Sequence, residues 1–276
     1  MKKKAGILNC IWAAFATFSR IPVPEADWND ENLRWQICCF PLVGVVIGIL
    51  WCAAAVLMVC AGLHPVLAGA ALTVLPLLLT GGIHMDGFLD TSDAVHSWKP
   101  KEERLKILDD PHIGAFAVIY GAIYMILYFG LAVQLAASMA GRFADGSVTL
   151  LSACAPAFVM ASGFVICRIF SGLSVVCFPK AKENGMVKST ADASGQRAAG
   201  VLKAELVLAV ILYIVMGILL HRYEAVVMPA AAALVFAYYY RMTMDKFGGV
   251  SGDPAGWFLQ VCELVLLAAA AVSTLI

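Results

Sequence analysis

Gly81-Gly82-Ile83-His84-Met85-Asp86-Gly87-Phe88-Leu89-Asp90-Thr91-Ser92-Asp93 closes an apolar run that begins near residue 65 and places three carboxylates after it, at spacings of four and three. On a helix turning about 100° per residue, Asp90 lies about 40° ahead of Asp86 and Asp93 about 20° behind it, so the three share a stripe of about 60°. Such a stripe at the end of an apolar run is a candidate seat for a hard divalent cation.

The rest of the chain fixes the setting. Of 276 residues, 62% are hydrophobic and 14% charged, and the mean hydropathy is +0.86, far from the composition of a soluble domain. The expected fold is all-α: a polytopic integral membrane protein with about seven transmembrane helices and an N-terminal interfacial helix, forming a single membrane domain over residues 1–276. Met1-Lys2-Lys3-Lys4 leads into an apolar segment interrupted by Asn9 and Thr17 and lacking a small-residue cleavage pattern, so it does not read as a cleavable signal. The nine cysteines mostly sit inside apolar runs and form no Cys-x-x-Cys pair, which marks them as small buried hydrophobes.

In chain order, Ile7, Leu8, Ile11, Trp12, Phe15 and Phe18 repeat at helical spacing on a segment too short to span, which reads as a helix lying on the membrane surface. Spans are expected at about 37–60, 65–83, 113–139, 148–178, 201–220, 225–240 and 257–275. The fourth is longer than a bilayer needs, so its second half, with Arg168, is expected to project beyond the hydrocarbon. A short helix after Trp98-Lys99-Pro100 carries Arg104 and Lys106. Placing the N-terminus in the cytoplasm leaves only Arg142 and Arg222, of the nineteen Lys and Arg residues, on the far side. The chain is therefore expected to cross the membrane several times, with the polar segments near 20–36, 84–112, 179–200 and 241–256 all facing the cytoplasm; the inner membrane as its location is what the family resemblance given below implies.

Several residues on that side are suited to chemistry. Three like charges in register repel unless a cation or a basic partner neutralises them, and all-oxygen ligation by Asp86, Asp90 and Asp93 selects Mg²⁺, with Mn²⁺ as a substitute. His84 stands nearly opposite the stripe, which leaves a substrate contact and a packed interfacial histidine both open. Asp110-Pro111-His112-Ile113-Gly114 is a polar turn at the mouth of the third span. There Asp110 is either an N-terminal helix cap or, near a phosphate-metal site, a ligand or base with His112 touching phosphate. Arg168, among Val165, Ile166, Cys167, Ile169 and Phe170, either snorkels to the boundary or binds phosphate. Gly248-Gly249-Val250-Ser251-Gly252-Asp253 offers backbone N–H groups ahead of the last span, and its Asp253-Pro254 is equally an ordinary helix start.

Together these blocks resemble the cobalamin synthase family, the adenosylcobinamide-GDP ribazoletransferases. The resemblance runs from Phe18-Ser19-Arg20-Ile21-Pro22-Val23-Pro24 to about Glu263, through Phe40-Pro41-Leu42-Val43-Gly44, the glycine-histidine-aspartate block of residues 81–87 with Asp90-Thr91 and Asp93, Asp110-Pro111-His112-Ile113-Gly114, Arg168, and the glycine loop. Ser19, Phe88-Leu89, Pro254 and Gln260 depart from the family pattern.

The resemblance implies a Mg²⁺-dependent transferase that moves the adenosylcobinamide phosphate moiety of adenosylcobinamide-GDP onto the 3′-hydroxyl of α-ribazole, or of α-ribazole 5′-phosphate. GMP leaves, and adenosylcobalamin or its 5′-phosphate forms. On that footing Asp86, Asp90 and Asp93 hold the metal, with one of them or Asp110 as base. Arg20 and Arg168 contact phosphate, while His84, His112 and Asp253 are assigned to the substrate site. The partners implied are the two substrates and the lipid bilayer, with no nucleic acid; a homo-oligomer or docking by other corrinoid-pathway enzymes stays open.

Two other classes compete. A CDP-alcohol phosphotransferase also works from an aspartate cluster at a membrane surface, but its Asp-Gly-x-x-Ala-Arg pattern is missing: only Asp86-Gly87 matches. A cation-coupled transporter would place carboxylates near mid-bilayer and repeat its topology in inverted form; here the acids gather at one edge.

Overall fold

The computed structural model describes residues 6–146, 148–182 and 185–275. Lys2, Lys3 and Lys4, which precede the expected interfacial helix, lie outside them. The described residues form helices joined by short turns: α1 (Ile7–Phe18), α2 (Asp30–Gln36), α3 (Phe40–Cys60), α4 (Pro65–Thr80), α5 (Ile83–His96), α6 (Lys101–Ile107), α7 (Ala115–Ala144), α8 (Leu150–Ala153), α9 (Ala155–Cys177), α10 (Met186–Leu220), α11 (Glu224–Phe247) and α12 (Gly252–Val272). Six stretches are long and apolar enough to cross a membrane, or seven if the bent pair α4 and α5 is one span. The chain is thus an all-α, multi-pass membrane protein.

Small residues set the close helix crossings, as expected where lipid gives no hydrophobic drive between helices. A Cβ on Gly44 would stand 2.5 Å from the carbonyl oxygen of Phe164, and one on Gly48 2.4 Å from that of Ala161, so the Gly44-x-x-x-Gly48 face lets α3 lie directly on α9. Gly69 does the same for α4 against Val133 of α7. Between these crossings Trp51, Phe164, Tyr213 and Phe258 fill the interior, and the Trp51 indole N–H donates to Leu72 O at 2.9 Å.

Four expectations need correction. The stretch 148–178 is not one projecting helix: α8 and Cys154 absorb its first residues, α9 starts at Ala155 with a proline in its first turn, and Arg168 sits inside the bundle. The polar stretch before the fifth span is helical from Met186, with a kink at Gly195, whose φ is +63°. The last helix begins at Gly252, ahead of the span expected near 257, and takes Asp253 and Pro254 into its first turn, as the helix-start reading of that pair had it.

The fourth correction concerns Gly81-Gly82. The span expected over about 65–83 ends at Thr80, because both glycines are left-handed (φ +64° and +77°) and redirect the chain by 95° into α5. Consequently α5 turns away from α4 and runs across the N-terminal ends of α7 and α12; it is not among the six stretches that are long and apolar enough to span by themselves.

Candidate active site

The carboxylate stripe lies on one continuous helix, as its spacing requires. His84, Gly87, Phe88, Thr91 and Ser92 of α5 are buried, while Asp86 is exposed and Asp90 and Asp93 are half-buried. The inward face meets α12 at closest approach through two glycines. A Cβ on Gly87 would stand 2.8 Å from Asp253 O, and one on Gly256 2.9 Å from His84 O. That crossing brings Asp253 into electrostatic reach of both Asp86 and Asp90. Burial, reinforced by Asp86, Asp253 and Asp93, pushes the Asp90 carboxyl up to about 6.

Asp93 is only partly available. Its Oδ1 accepts the N–H groups of Phe116 at 3.2 Å and Ala117 at 3.4 Å, so it caps the first turn of α7 from a neighbouring helix. Gly114 makes room for it: a Cβ there would meet Asp93 Oδ2 at 1.9 Å. The cap role that the sequence offered to Asp110 therefore belongs to Asp93. Asp110 instead accepts from the backbone N–H of His112 at 3.0 Å and bonds its ring Nδ1 at 2.7 Å, in an exposed turn. These bonds hold the Asp110 carboxyl below the usual range. Asp109, which the sequence reading passed over, pairs with Lys182 at 2.6 Å, and both lie within electrostatic reach of Asp253.

Arg168 is turned inward. It is 1% exposed; its Nη1 donates to Glu263 Oε1 and to Phe164 O, each at 2.9 Å, and its guanidinium lies 5.7 Å from the Phe40 ring and 5.8 Å from the Phe164 ring. It neither snorkels to the boundary nor presents a face to solvent. Its charge instead reaches His84, whose ring packs 5.8 Å from Phe40 and is held neutral, near 3, chiefly by burial and then by Arg168.

Arg20 lies on the other flank of α5. Its backbone N–H donates to Leu79 O at 2.8 Å, and its side chain covers Gly81, where a Cβ would meet Arg20 Cγ at 2.4 Å. Arg20, Thr80, Gly81 and Asp86 line one open cavity of about 640 Å³. A second, of about 220 Å³, lies on the bundle side of Asp86 and also reaches Asp253 and His84. Asp86 is thus shared by two cavities, one polar and one mainly apolar.

The first half of the glycine loop, Gly248 to Val250, is engaged in packing. Val250 N donates to Pro179 O at 2.8 Å and Ala181 N to Val250 O at 3.0 Å, Gly248 ends α11 at φ +73°, and Gly249 lies so close to Lys180 that a Cβ would stand 2.5 Å from its carbonyl carbon. Its contribution to the site is to aim the first turn of α12, with Asp253, at α5. The Gly87–Gly256 crossing, the Arg168–Glu263 pair and the Asp109–Lys182 pair were missed in the sequence. Only the first left a signal, in the Gly252-x-x-x-Gly256 spacing.

Among the described residues, no three His, Cys, Asp or Glu side chains are gathered closely enough to ligate one ion. The donor set still suits magnesium, which binds through one or two carboxylates and completes its octahedron with water and substrate phosphate. Asp86, Asp90 and Asp253 supply oxygen only, around a carboxyl that its neighbours' negative charge already disturbs.

The family model described as cobalamin-5-phosphate synthase matches residues 10–271. An adenosylcobinamide-GDP ribazoletransferase of Lachnoclostridium phytofermentans is 38% identical over 258 residues, covering 94% of this chain and 91% of its own. Proteins of the same description from Clostridium botulinum and Desulfitobacterium hafniense are 28% and 29% identical, over 95% and 93% of this chain and 96% and 94% of theirs. No solved structure matches the chain.

Proposed function

The chain belongs to the cobalamin-5-phosphate synthase family, and from that membership we propose that it is an adenosylcobinamide-GDP ribazoletransferase working at the crossing of α5 over α12. The 3′-oxygen of α-ribazole, or of its 5′-phosphate, attacks the phosphorus on the cobinamide side of the diphosphate. The phosphorus–oxygen bond to GMP breaks, the hydroxyl proton passes to a carboxylate, and adenosylcobalamin or its 5′-phosphate is formed. The observation that carries this reading is that Asp86 lines both cavities, with Asp253 on the wall of the apolar one and Asp90 within electrostatic reach of both carboxylates.

Transfer from a diphosphate needs positioning and charge neutralisation more than covalent chemistry. Asp86 and Asp90 are the residues that would hold Mg²⁺ or Mn²⁺, which when bound would neutralise diphosphate oxygens. Arg20, beside Asp86 in the polar cavity, contacts the phosphate chain. Asp253, on the wall of the apolar cavity, faces the attacking hydroxyl and takes its proton. Asp93 acts as a positioning residue that fixes α5 to α7, and Arg168 as one that supports the wall carrying His84. His112, paired with Asp110, stays in the exposed turn ahead of α7. The distribution of Lys and Arg supports a cytoplasmic site in the inner membrane: Arg142 and Arg222, left on the far side by the sequence, lie within electrostatic reach of each other.

The test is release of GMP by the purified protein in detergent with Mg²⁺, adenosylcobinamide-GDP and α-ribazole. Nucleoside-dependent GMP, matched by corrinoid product, is expected. No GMP, or GMP released equally without nucleoside, refutes the transferase.

A further inference from the structure

The apolar cavity carries an assignment of its own. Helices α1, α3, α5, α9, α10 and α12 enclose its volume of about 220 Å³ between Phe18, Ile37, Phe40, Val175 and Leu259, with the exposed Asp86 and with Asp253 at the rim. It is smaller than the roughly 300–1,000 Å³ of pockets that swallow a whole drug-sized ligand, so it suits a single ring system rather than a nucleotide. Polar groups on its wall are few: Ser171, Thr190 and His84. Of these His84 stands out, because it is only 6% exposed and its Nε2 meets no hydrogen-bond partner. A buried polar nitrogen left unpaired is costly and rare in folded proteins.

An aromatic and aliphatic slot with one orphaned ring nitrogen matches a flat, mainly apolar heterocycle that offers one hydrogen-bonding atom. The transfer involves two bases. Guanine carries several donors and acceptors along its edge, and against Ile37, Phe40, Val175 and Leu259 most of them would be buried unpaired. An alkylated benzimidazole has apolar edges and one unsubstituted ring nitrogen, an acceptor for an imidazole N–H. From this match, and resting on the transferase reading, we infer that the cavity seats the benzimidazole-class base of the acceptor nucleoside, with its free ring nitrogen on His84 Nε2 and its ribose at the rim between Asp86 and Asp253. The donor diphosphate then occupies the polar cavity beyond Asp86, so that acceptor and donor approach the same carboxylate from opposite flanks of α5. The walls of this cavity set which bases are accepted.

The experiment uses the full chain in detergent and two α-ribosides: that of dimethylbenzimidazole, and that of the dimethylindole in which the free ring nitrogen is replaced by CH. Equilibrium binding of each nucleoside is measured without the corrinoid, and GMP release is scored in parallel. The wild-type protein should bind the benzimidazole riboside about tenfold more tightly than the indole riboside, and His84→Ala should erase that preference by weakening only the former. Thr190→Trp, which fills the cavity from a half-buried position and so serves if His84→Ala fails to fold, should weaken both ribosides about tenfold or more while moving the KM for adenosylcobinamide-GDP by no more than about twofold. Equal binding of the two ribosides by the wild type, equal weakening of both by His84→Ala, or a Thr190→Trp effect on the corrinoid instead of the nucleoside overturns the base seat. Those results alongside normal GMP release leave the transferase standing; absence of GMP with every nucleoside overturns the transferase itself.

Discussion

Gly87 and Gly256 touch where α5 crosses α12, and neither has room for a methyl group: added Cβ atoms would stand 2.8 Å from Asp253 O and 2.9 Å from His84 O. This contact holds carboxylates from two helices in one cluster. Gly256→Ala should therefore push the helices apart and lower GMP release by about tenfold or more, at an overpacking cost of about 1–3 kcal/mol in stability. Activity and thermal stability in detergent, measured on one preparation, check both parts.

Asp90 and Asp93 share the stripe but not the same surroundings. Asp90→Asn should lower turnover by about 100-fold or more, because the charge facing the diphosphate is lost. In Asp93→Asn the remaining side-chain oxygen still caps α7, so turnover should stay within about tenfold of wild type. Asp93→Ala, which loses the cap, should cost about 1 kcal/mol of stability. Comparable losses in Asp90→Asn and Asp93→Asn would make Asp93 a ligand rather than a cap.

Arg168 and Glu263 form an ion pair with side chains 1% and 3% exposed. Removing one partner leaves a buried charge, so Glu263→Ala should destabilise the protein by about 3–5 kcal/mol, whereas Arg168→Met combined with Glu263→Leu should recover most of the loss. A melting series over the two single variants and the double variant measures this. A double variant no more stable than Glu263→Ala contradicts it.

Chelation should abolish GMP release, with Mg²⁺ and Mn²⁺ restoring it and zinc failing to do so, as an oxygen-only donor set requires. Activity titrated with each ion after dialysis against a chelator gives the answer.

Gly82 has φ +77° and open space around the position of a Cβ. Its requirement is conformational, so Gly82→Asn should keep more activity than Gly82→Val, a β-branched residue that resists the left-handed region. Equal tolerance of the two would mean that the 95° turn does not depend on this residue.

How far the sequence reached depended on whether a feature is local. The apolar helices and the shared face of Asp86, Asp90 and Asp93 follow from hydropathy and helical period, and both are legible along the chain. The break at Gly81-Gly82 is not legible along the chain, because a glycine pair looks the same whether it serves close packing or a left-handed turn. The partner of Arg168 lies 95 residues away, and the Asp93 cap on α7 spans a loop and a short helix. Neither follows from spacing. The orphaned Nε2 of His84 was likewise out of reach, because it exists only once Phe40, α9 and α12 close over it.

The carboxylates at the α5–α12 crossing are assigned the transfer. The most direct test is GMP and corrinoid product formed from adenosylcobinamide-GDP and α-ribazole with Mg²⁺, by equal amounts of folded wild-type protein and Asp90→Asn. Equimolar GMP and corrinoid product are expected from the wild type, and turnover lower by about 100-fold or more from the variant; a variant that turns over at the wild-type rate removes the transfer from these carboxylates.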